Sequence, residues 1–399
     1  MRRVALCGLL FLAACTKPIE QDWTVSTEGS SQCTPAFIGD LVVFGNEAGY
    51  LHAYDLNGVE RWVFTAHRDI IGSPVGYKDL VLFGVFNNLF YGVNAQNGRQ
   101  AWKFTAKDRI KGSPIIAGDK VIFGSYDKKL YALNAETGKL AWEFPAKPPP
   151  PAPAAPASEP AKDQPKGKDG KPLKEAKATE PAAPAEPAPP APEPVVAGEF
   201  SYARPLLVDG VVYVGNLDGY LYAVAAETGE LKWRFKTGGG ITSSAVHEAG
   251  VLYFGSNDHN LYALDLATQK PKWTFQTGDE VNASPRVSEG VVYVGGVDNN
   301  FYAVDAATGK AKWTFSTKGR IVDAAAVHKN LVFIGAGPGD GGLYALDRAT
   351  GKVFWSFPTE SKVEADPIVL NDKLYVVTGD GKLMVFKNQQ DDLRPGFRL

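Results

Sequence analysis

Eight tryptophans recur at a nearly fixed spacing, and this repeat restricts the possible folds more than any other feature of the chain. They are Trp23, Trp62, Trp102, Trp142, Trp233, Trp273, Trp313 and Trp355. Six of the seven steps span 39 to 42 residues, and the seventh, of 91 residues, contains one period plus about 51 inserted residues. A period near 40 residues, with several short strands in each unit, is typical of a β-propeller blade. The chain is therefore predicted to be all-β.

The unit between residues 281 and 317 shows what each repeat contains. A first strand is predicted to open at Ala283-Ser284-Pro285, and Val291–Gly295 and Phe301–Asp305 form the second and third strands. The fourth strand carries Trp313. Apolar residues occupy both faces of the third strand, as expected of a sheet held between two neighbours. The pattern predicts eight four-stranded blades, with each tryptophan packing against the adjacent blade.

The turn from the third to the fourth strand ends in glycine in six units, as expected where a tight turn requires positive φ. Gln269 takes this place in the fifth unit, so that turn is predicted to be more strained or differently shaped. The six glycines are Gly58, Gly98, Gly138, Gly229, Gly309 and Gly351.

The two ends of the repeat array complement each other. Trp23 precedes the first complete unit, whereas the last unit, Lys373 to Lys387, has no tryptophan. The segment around Trp23 also resembles the fourth strand around Trp313. The N-terminal strand is therefore predicted to complete the eighth blade by pairing near Leu383 to Phe386, which closes the ring and protects its edges.

The first 15 residues match a bacterial lipoprotein signal. Arg2 and Arg3 precede an apolar stretch that is too short to span a bilayer. The sequence Leu12-Ala13-Ala14-Cys15 resembles the lipobox, which implies cleavage before Cys15 and its lipidation. The chain is accordingly expected on the periplasmic face of the bacterial outer membrane, held by this lipid anchor. An ordinary cleaved signal with an incidental cysteine is the alternative.

Charge and residue spacing disfavour several functions. A formal net charge of -2 gives no support for a nucleic-acid partner. The five histidines are scattered without metal-ligand spacing, and no nucleophile–base arrangement is recognisable. Asp218, Asp258 and Asp298 recur in hairpins between second and third strands, where turn formation explains them better than cation binding. We therefore predict no catalytic residue, no metal site and no cofactor, and Cys33 is expected to be a buried thiol.

A segment between the third and fourth units differs from the rest in composition. Residues 148–194 hold 16 of the 28 prolines and no aromatic residue, so they are predicted to be disordered. A tolerated spacer and a docking arm are both compatible with this composition. The predicted organisation lists a signal peptide (1–14), a lipidated N-terminus with the closing strand (15–32), blades one to three (33–147), the disordered insertion (148–197), blades four to eight (198–390) and a C-terminal tail (391–399).

The repeat, as in Asp305 to Trp313, resembles the pyrroloquinoline-quinone-type propeller repeat. Two families share it, the quinoprotein dehydrogenases and the BamB lipoproteins, which are scaffolds of the outer-membrane β-barrel assembly machinery. The dehydrogenases typically carry an adjacent cysteine pair and long pocket-building insertions, and neither is present here. The lipobox and the near-minimal blades favour resemblance to the BamB family.

This resemblance implies a non-enzymatic scaffold that assists insertion of outer-membrane β-barrels through protein–protein contacts. Its expected partners are envelope proteins of the barrel-assembly complex, with a monomeric propeller inside a hetero-complex. The partner-binding residues cannot be carried over, because no motif matches them. A propeller lipoprotein that binds another envelope complex or a polymer is the first alternative, and a periplasmic quinoprotein dehydrogenase is the second.

Overall fold

The strands of the protein form eight four-stranded antiparallel sheets in the part of the chain that the structure describes. The structure is a computed structural model that describes residues 19–145, 198–200 and 202–388. The predicted signal peptide, the lipidation residue Cys15, the predicted insertion at 148–197 and the predicted tail at 391–399 lie outside these residues. The eight-bladed propeller is confirmed.

The first four blades follow one another along the chain. Blade one comprises β2 (Ala36–Ile38), β3 (Leu41–Gly45), β4 (Tyr50–Asp55) and β5 (Glu60–Thr65). Blade two comprises β6 (Val75–Tyr77), β7 (Leu80–Gly84), β8 (Leu89–Asn94) and β9 (Gln100–Thr105). Blade three comprises β10 (Ile115–Ala117), β11 (Lys120–Gly124), β12 (Leu130–Asn134) and β13 (Leu140–Phe144). Blade four comprises β14 (Leu206–Val208), β15 (Val211–Gly215), β16 (Tyr220–Ala225) and β17 (Leu231–Lys236).

The last four blades repeat this order, except that blade eight takes its outermost strand from the N-terminus. Blade five comprises β18 (Val246–Glu248), β19 (Val251–Gly255), β20 (Asn260–Asp265) and β21 (Lys270–Gln276). Blade six comprises β22 (Arg286–Ser288), β23 (Val291–Gly295), β24 (Asn300–Asp305) and β25 (Ala311–Ser316). Blade seven comprises β26 (Ala326–His328), β27 (Leu331–Gly335), β28 (Gly342–Asp347) and β29 (Val353–Pro358). Blade eight comprises β30 (Ile368–Leu370), β31 (Lys373–Val377), β32 (Lys382–Asn388) and β1 (Ile19–Ser26).

The ring closes as the sequence predicts. Strand β1 pairs antiparallel with β32, and Trp23 lies opposite Val385 in the register. Thr24 also donates a side-chain hydrogen bond to the Leu383 carbonyl at 3.1 Å. The N-terminal strand therefore covers the edge that β32 would otherwise expose, which is a known hazard for aggregation.

The hydrophobic core lies between the blades. The middle strands are buried on both faces; β23, for example, has five buried residues in succession. Phe90 of blade two stacks on Phe123 of blade three with ring centroids 4.1 Å apart. The fourth strands alternate between exposed and partly buried residues because one face meets solvent at the rim.

The first strands begin slightly later than predicted. In blade six the strand starts at Arg286, and Ala283, Ser284 and Pro285 precede it. No further strand of the sheet lies on the inner side of these residues, because the first strand is at the edge of its sheet. Ser284 and Pro285 line a cavity at the centre of the ring instead.

Candidate functional site: the central channel and the hairpin face

The central channel is a large cavity of about 1200 Å³. Every blade contributes to its wall through the residues that lead into its first strand. None of these residues was predicted as a site. The sequence does contain a pattern that marks them, because the channel-facing residue precedes a proline in six of the eight units.

One repeat position forms a ring of side chains around the channel, which we call the acceptor ring. The main-chain N–H of Ser73 donates to Ser113 Oγ at 2.8 Å, and that of Ser244 donates to Ser284 Oγ at 3.0 Å. Each bond ties one blade to the next, since the partners lie 40 residues apart. Polar side chains satisfy main-chain groups here that no strand can reach. The ring consists of Thr34, Ser73, Ser113, Arg204, Ser244, Ser284, Ala324 and Asp366.

Two members of the acceptor ring, Arg204 and Ala324, carry no side-chain acceptor. Arg204 brings a guanidinium into the channel, and burial lowers its pKa, although the field of Asp366 opposes that shift. Within the described part of the chain, Arg204 and Arg286 do not reach ion-pair distance of Asp366. The ring of hydroxyls is thus interrupted at three positions, by Arg204 in blade four, Ala324 in blade seven and Asp366 in blade eight.

Blades seven and eight hold an ion network at the wall of this channel. Glu364, whose side chain is 7% exposed, accepts hydrogen bonds from Arg320 Nη2 at 2.8 Å and from Lys362 Nζ at 2.6 Å. Burial opposes ionisation, but the hydrogen bonds from Lys362 and Arg320 prevail and lower the pKa of Glu364. This carboxylate therefore engages both of the cations closest to it.

The hairpin aspartates are structural ties. Asp258 Oδ2 accepts the Tyr262 hydroxyl at 2.6 Å and the Gly238 N–H at 2.7 Å. Gly238 lies in the segment that leads from blade four, so the carboxylate links two blades as well as forming its turn. Burial opposes ionisation of Asp258, but the bonds from Tyr262 and Gly238 lower its pKa. The same arrangement recurs at Asp127 with Tyr131, Asp218 with Tyr222, Asp298 with Tyr302 and Asp340 with Tyr344.

The hairpin carboxylates already accept hydrogen bonds, so few of their oxygens remain to bind a cation. In the ranges that the structure describes, no group of three or more His, Cys, Asp or Glu side chains is arranged to hold a metal ion. A calcium-assisted quinone site needs several convergent oxygens, and the hairpin oxygens already accept tyrosine and main-chain donors. The hairpin aspartates therefore do not fit such a group.

The histidines and the buried cysteine have local structural partners. His52 Nδ1 lies 3.0 Å from Glu60 Oε1, and His328 Nε2 lies 2.8 Å from Asp372 Oδ1. These two pairs belong to different blades. Cys33 is fully buried and burial raises the pKa of its thiol to about 12, so it is held as a neutral thiol.

Six of the eight repeated tryptophans dock on a turn glycine of the next blade. A Cβ atom added to Gly309 would lie 2.7 Å from the Trp273 ring, so this glycine serves the contact as well as the turn. Trp273 Nε1 then donates to the Ala306 carbonyl at 2.9 Å. The other pairs in close contact are Trp23 with Gly58, Trp62 with Gly98, Trp102 with Gly138, Trp142 with Gly229 and Trp313 with Gly351.

The turn at Gln269 keeps the shape of the glycine turns. Its φ is 55°, and its N–H bonds to the Asp265 carbonyl at 2.8 Å, as Gly309 bonds to Asp305. The prediction of a more strained turn is therefore the one that applies, because a residue with a side chain adopts the left-handed backbone conformation here. A differently shaped turn does not occur.

Aromatic and basic side chains cluster on the hairpin face of blades two to four. The Arg109 guanidinium lies 5.0 Å from the Phe86 ring and 4.5 Å from the Tyr126 ring. Lys111 Nζ lies 4.4 Å from the ring of Tyr202, which is 41% exposed. We call these five residues the basic aromatic patch. Periodicity could not reveal it, because its members come from loops of different blades and occupy unequal repeat positions.

Comparison with known proteins places this fold and site in a family. A family profile described as outer membrane protein assembly factor BamB matches residues 47–170, 217–334 and 315–392, well over half of the chain. A curated relative from Marinobacter adhaerens with that name is 50% identical over 36 residues, a match that spans only 9% of either chain. The protein is thus a propeller of the pyrroloquinoline-quinone-like repeat class. Within that class, it belongs to the family of outer membrane protein assembly factor BamB.

Solved structures agree on the architecture. BamB from Moraxella catarrhalis superposes with a TM-score of 0.70 at 17% identity, over 96% of this chain and 99% of that one. Quinohemoprotein alcohol dehydrogenase from Comamonas testosteroni gives a TM-score of 0.67 at 15% identity, over 93% of this chain and 76% of that one. Identities this low show a shared fold and do not by themselves separate a scaffold from an enzyme.

Proposed function

We propose that this protein is a non-enzymatic, lipid-anchored scaffold on the periplasmic face of the bacterial outer membrane. It assists assembly and insertion of outer-membrane β-barrels through protein–protein contacts. The observation that carries the proposal is the family match, which extends over both parts of the propeller. The described residues contain no helix long and apolar enough to cross a membrane. Attachment in this proposal is through Cys15.

The hairpin face supports a role in protein contacts. Exposed tyrosines and arginines supply much of the binding energy at protein interfaces. Tyr202 and Arg109 belong to the basic aromatic patch, and Leu217 in a hairpin of blade four is 38% exposed. The hairpin aspartates already accept tyrosine hydroxyls, and this argues against their use in the quinoprotein alternative. Reconstitution with the quinone and calcium is accordingly expected to give no substrate-dependent dye reduction.

Affinity purification of the tagged full chain from mild-detergent membranes tests the proposal. The channel protein of the barrel-assembly machinery should be recovered, and an equally tagged lipoprotein of unrelated fold should not recover it. Tyr202→Ala should reduce recovery, whereas Val353→Ala, a comparably exposed change on blade seven, should not. Loss of the channel protein from the wild-type sample, with other envelope proteins retained, would favour the alternative envelope complex.

The anchor is tested separately. Cys15→Ser should abolish labelling by palmitate analogues and leave the precursor unprocessed. Equal labelling of this variant and wild type would remove lipid attachment at Cys15 from the proposal without affecting the assembly role.

A further inference from the structure

Blade seven departs from the repeat at one position, which is buried in the other seven blades and half-buried in blade seven. The residue just before each acceptor-ring residue is small in seven blades, whereas blade seven has Asp323. Blade seven also has Ala324 in the ring itself, where four other blades have serine and blade one has threonine. The seven small residues are Cys33, Gly72, Gly112, Ala203, Ser243, Ala283 and Ala365.

The position is a narrow internal slot. Cys33 Sγ accepts the Gly45 N–H at 3.2 Å, and Ser243 Oγ accepts the Gly255 N–H at 2.9 Å. Both of these side chains are almost fully buried. A carboxyl group in the same slot has to leave water, and that transfer costs far more for the ionised form than for the neutral acid.

A negative charge on Asp323 would be only weakly compensated, because burial and the neighbouring acids outweigh the attraction of Lys362 and Arg320. Its Oδ2 atom is buried without a hydrogen-bond partner among the residues that the structure describes. The two cations that face it, Arg320 and Lys362, are both bound to Glu364. An uncompensated buried carboxylate is among the most unfavourable groups in a protein interior.

The neighbouring carboxyl groups add repulsion. Asp366 Oδ1 accepts the N–H of Ala324, the residue next to Asp323, at 2.8 Å, so the two acids meet at the contact between blades seven and eight. Burial, with repulsion from Asp366 and Glu364, raises the pKa of Asp323 well above its ordinary value. Burial also raises the pKa of Asp366, although Arg286 and Arg204 oppose that shift.

We propose that Asp323 keeps its proton in the folded protein at neutral pH, and that its ionisation weakens the contact between blades seven and eight. The channel wall is then a pH-sensitive element of the ring. This inference does not depend on the proposed function, since it concerns the proton balance of the propeller itself.

The direction of the pH effect follows from linkage. The folded state holds a proton that an aspartate of the unfolded chain loses near pH 4. Stability should therefore fall as pH rises from that unfolded value through the higher folded one, because the folded state binds more protons in this range. Asp323→Asn imitates the neutral acid and should remove this part of the pH dependence.

Thermal unfolding of the purified full chain from about pH 5 to about pH 8 tests the proposal. The excess of the Asp323→Asn melting temperature over wild type should be smallest at the acidic end and should grow by about 3 °C towards the alkaline end. Asp323→Ala, which restores the small residue of the other blades, should show the same flattened profile. Asp305→Asn is the control, because that half-buried turn aspartate has a lowered pKa and should leave the wild-type slope unchanged.

Infrared spectroscopy provides a second measurement that does not require stable variants. Wild type at neutral pH should show the carbonyl band of a protonated carboxyl group, and that band should be lost in Asp323→Asn or Asp323→Ala. Profiles of Asp323→Asn and Asp323→Ala that run parallel to wild type, or absence of the neutral-carboxyl band from wild type, would overturn the proposal.

Discussion

Blades six and eight have the same sheet geometry, although one is a continuous segment and the other joins the two ends of the chain. In blade six, Trp313 lies opposite Ala303, and the register skips Lys312. In blade eight, Trp23 lies opposite Val385, and the register skips Asp22. The closing strand therefore reproduces an internal fourth strand down to its β-bulge.

The charges at the bulge are reversed between the two blades. Lys312 Nζ lies 3.5 Å from Asp305 Oδ2 in blade six. In blade eight, Asp22 Oδ1 lies 3.4 Å from Lys387 Nζ, and its other oxygen lies 2.7 Å from Lys373 Nζ. An N-terminal strand paired with blade six in this register would place Asp22 beside Asp305. Opposite-charge pairs thus favour closure at blade eight and disfavour pairing of this strand with blade six.

The tryptophans of these two blades also differ in one respect. Trp313 Nε1 donates to the Arg348 carbonyl at 3.0 Å, whereas Trp23 Nε1 has no acceptor among the described residues. Trp23 docks on the turn of blade one, where Gly58 bonds to the carbonyl three residues earlier. The turn at Gly351, which receives Trp313, bonds four residues back. The ring contact at Gly58 is thus kept without the indole hydrogen bond, as it is at Gly138, where Trp102 Nε1 also has no acceptor among the described residues.

The largest effects are expected from substitutions that remove the tryptophan contacts of these two blades. Trp313→Ala should lower the free energy of unfolding by about 4 kcal/mol, since a large aromatic leaves a cavity between blades. Trp23→Ala should lower it by about 3 kcal/mol. This loss is smaller than that of Trp313→Ala because the Trp23 indole makes no hydrogen bond that the substitution could remove. Denaturant melts of both variants measure the difference. An effect near zero for Trp23→Ala beside a large one for Trp313→Ala would mean that β1 is a free tether.

Charge reversal at the closing strand should have a smaller effect. Asp22→Lys places a third cation beside Lys373 and Lys387 and should destabilise by about 1 kcal/mol, because partly exposed ion pairs are weak. Asp22→Lys with Lys387→Asp recreates the blade six arrangement and should recover part of the loss. Melts at low and high salt check this, and no recovery in the double variant at low salt would contradict the role of the pair.

The smallest effect concerns an ordinary turn. Gln269→Gly should stabilise the protein by about 0.5 kcal/mol, because glycine adopts positive φ without strain. The gain is small because glycine also loses more conformational entropy on folding. The reverse change, Gly309→Gln, should destabilise by more than 1 kcal/mol, since its Cβ would meet the Trp273 ring. Equal and opposite effects would show that turn strain alone matters and that the tryptophan contact does not.

The features that sequence predicts best are those that recur in every blade. Tryptophan spacing and turn glycines encode local geometry, so the fold and the pairing of Trp23 with β32 were predictable. A departure from the repeat is harder to interpret from the sequence. Asp323 departs from its repeat position, and its meaning depends on Asp366 and Glu364 of the next blade, whose proximity only the folded ring supplies.

Contacts that join several blades were the least predictable. Arg109 stacks between Phe86 and Tyr126 because loops of adjacent blades meet on one face, and no spacing along the chain encodes that meeting. Asp258 illustrates an intermediate case. Its turn role follows from its place in a hairpin, whereas its bond to Gly238 requires the neighbouring blade.

A disulfide across the closing pair tests the central claim of ring closure most directly. Ser26 lies opposite Lys382 at the end of the β1–β32 ladder, and directly opposed residues in antiparallel strands are close enough to bridge after small adjustments. Ser26→Cys with Lys382→Cys, in a Cys15→Ser background, should oxidise to a cross-linked species of altered gel mobility. Ser26→Cys with Ser316→Cys, which uses the blade six rim, should remain reduced. Cross-linking of the second pair, or its absence in the first, would contradict closure of the ring by β1.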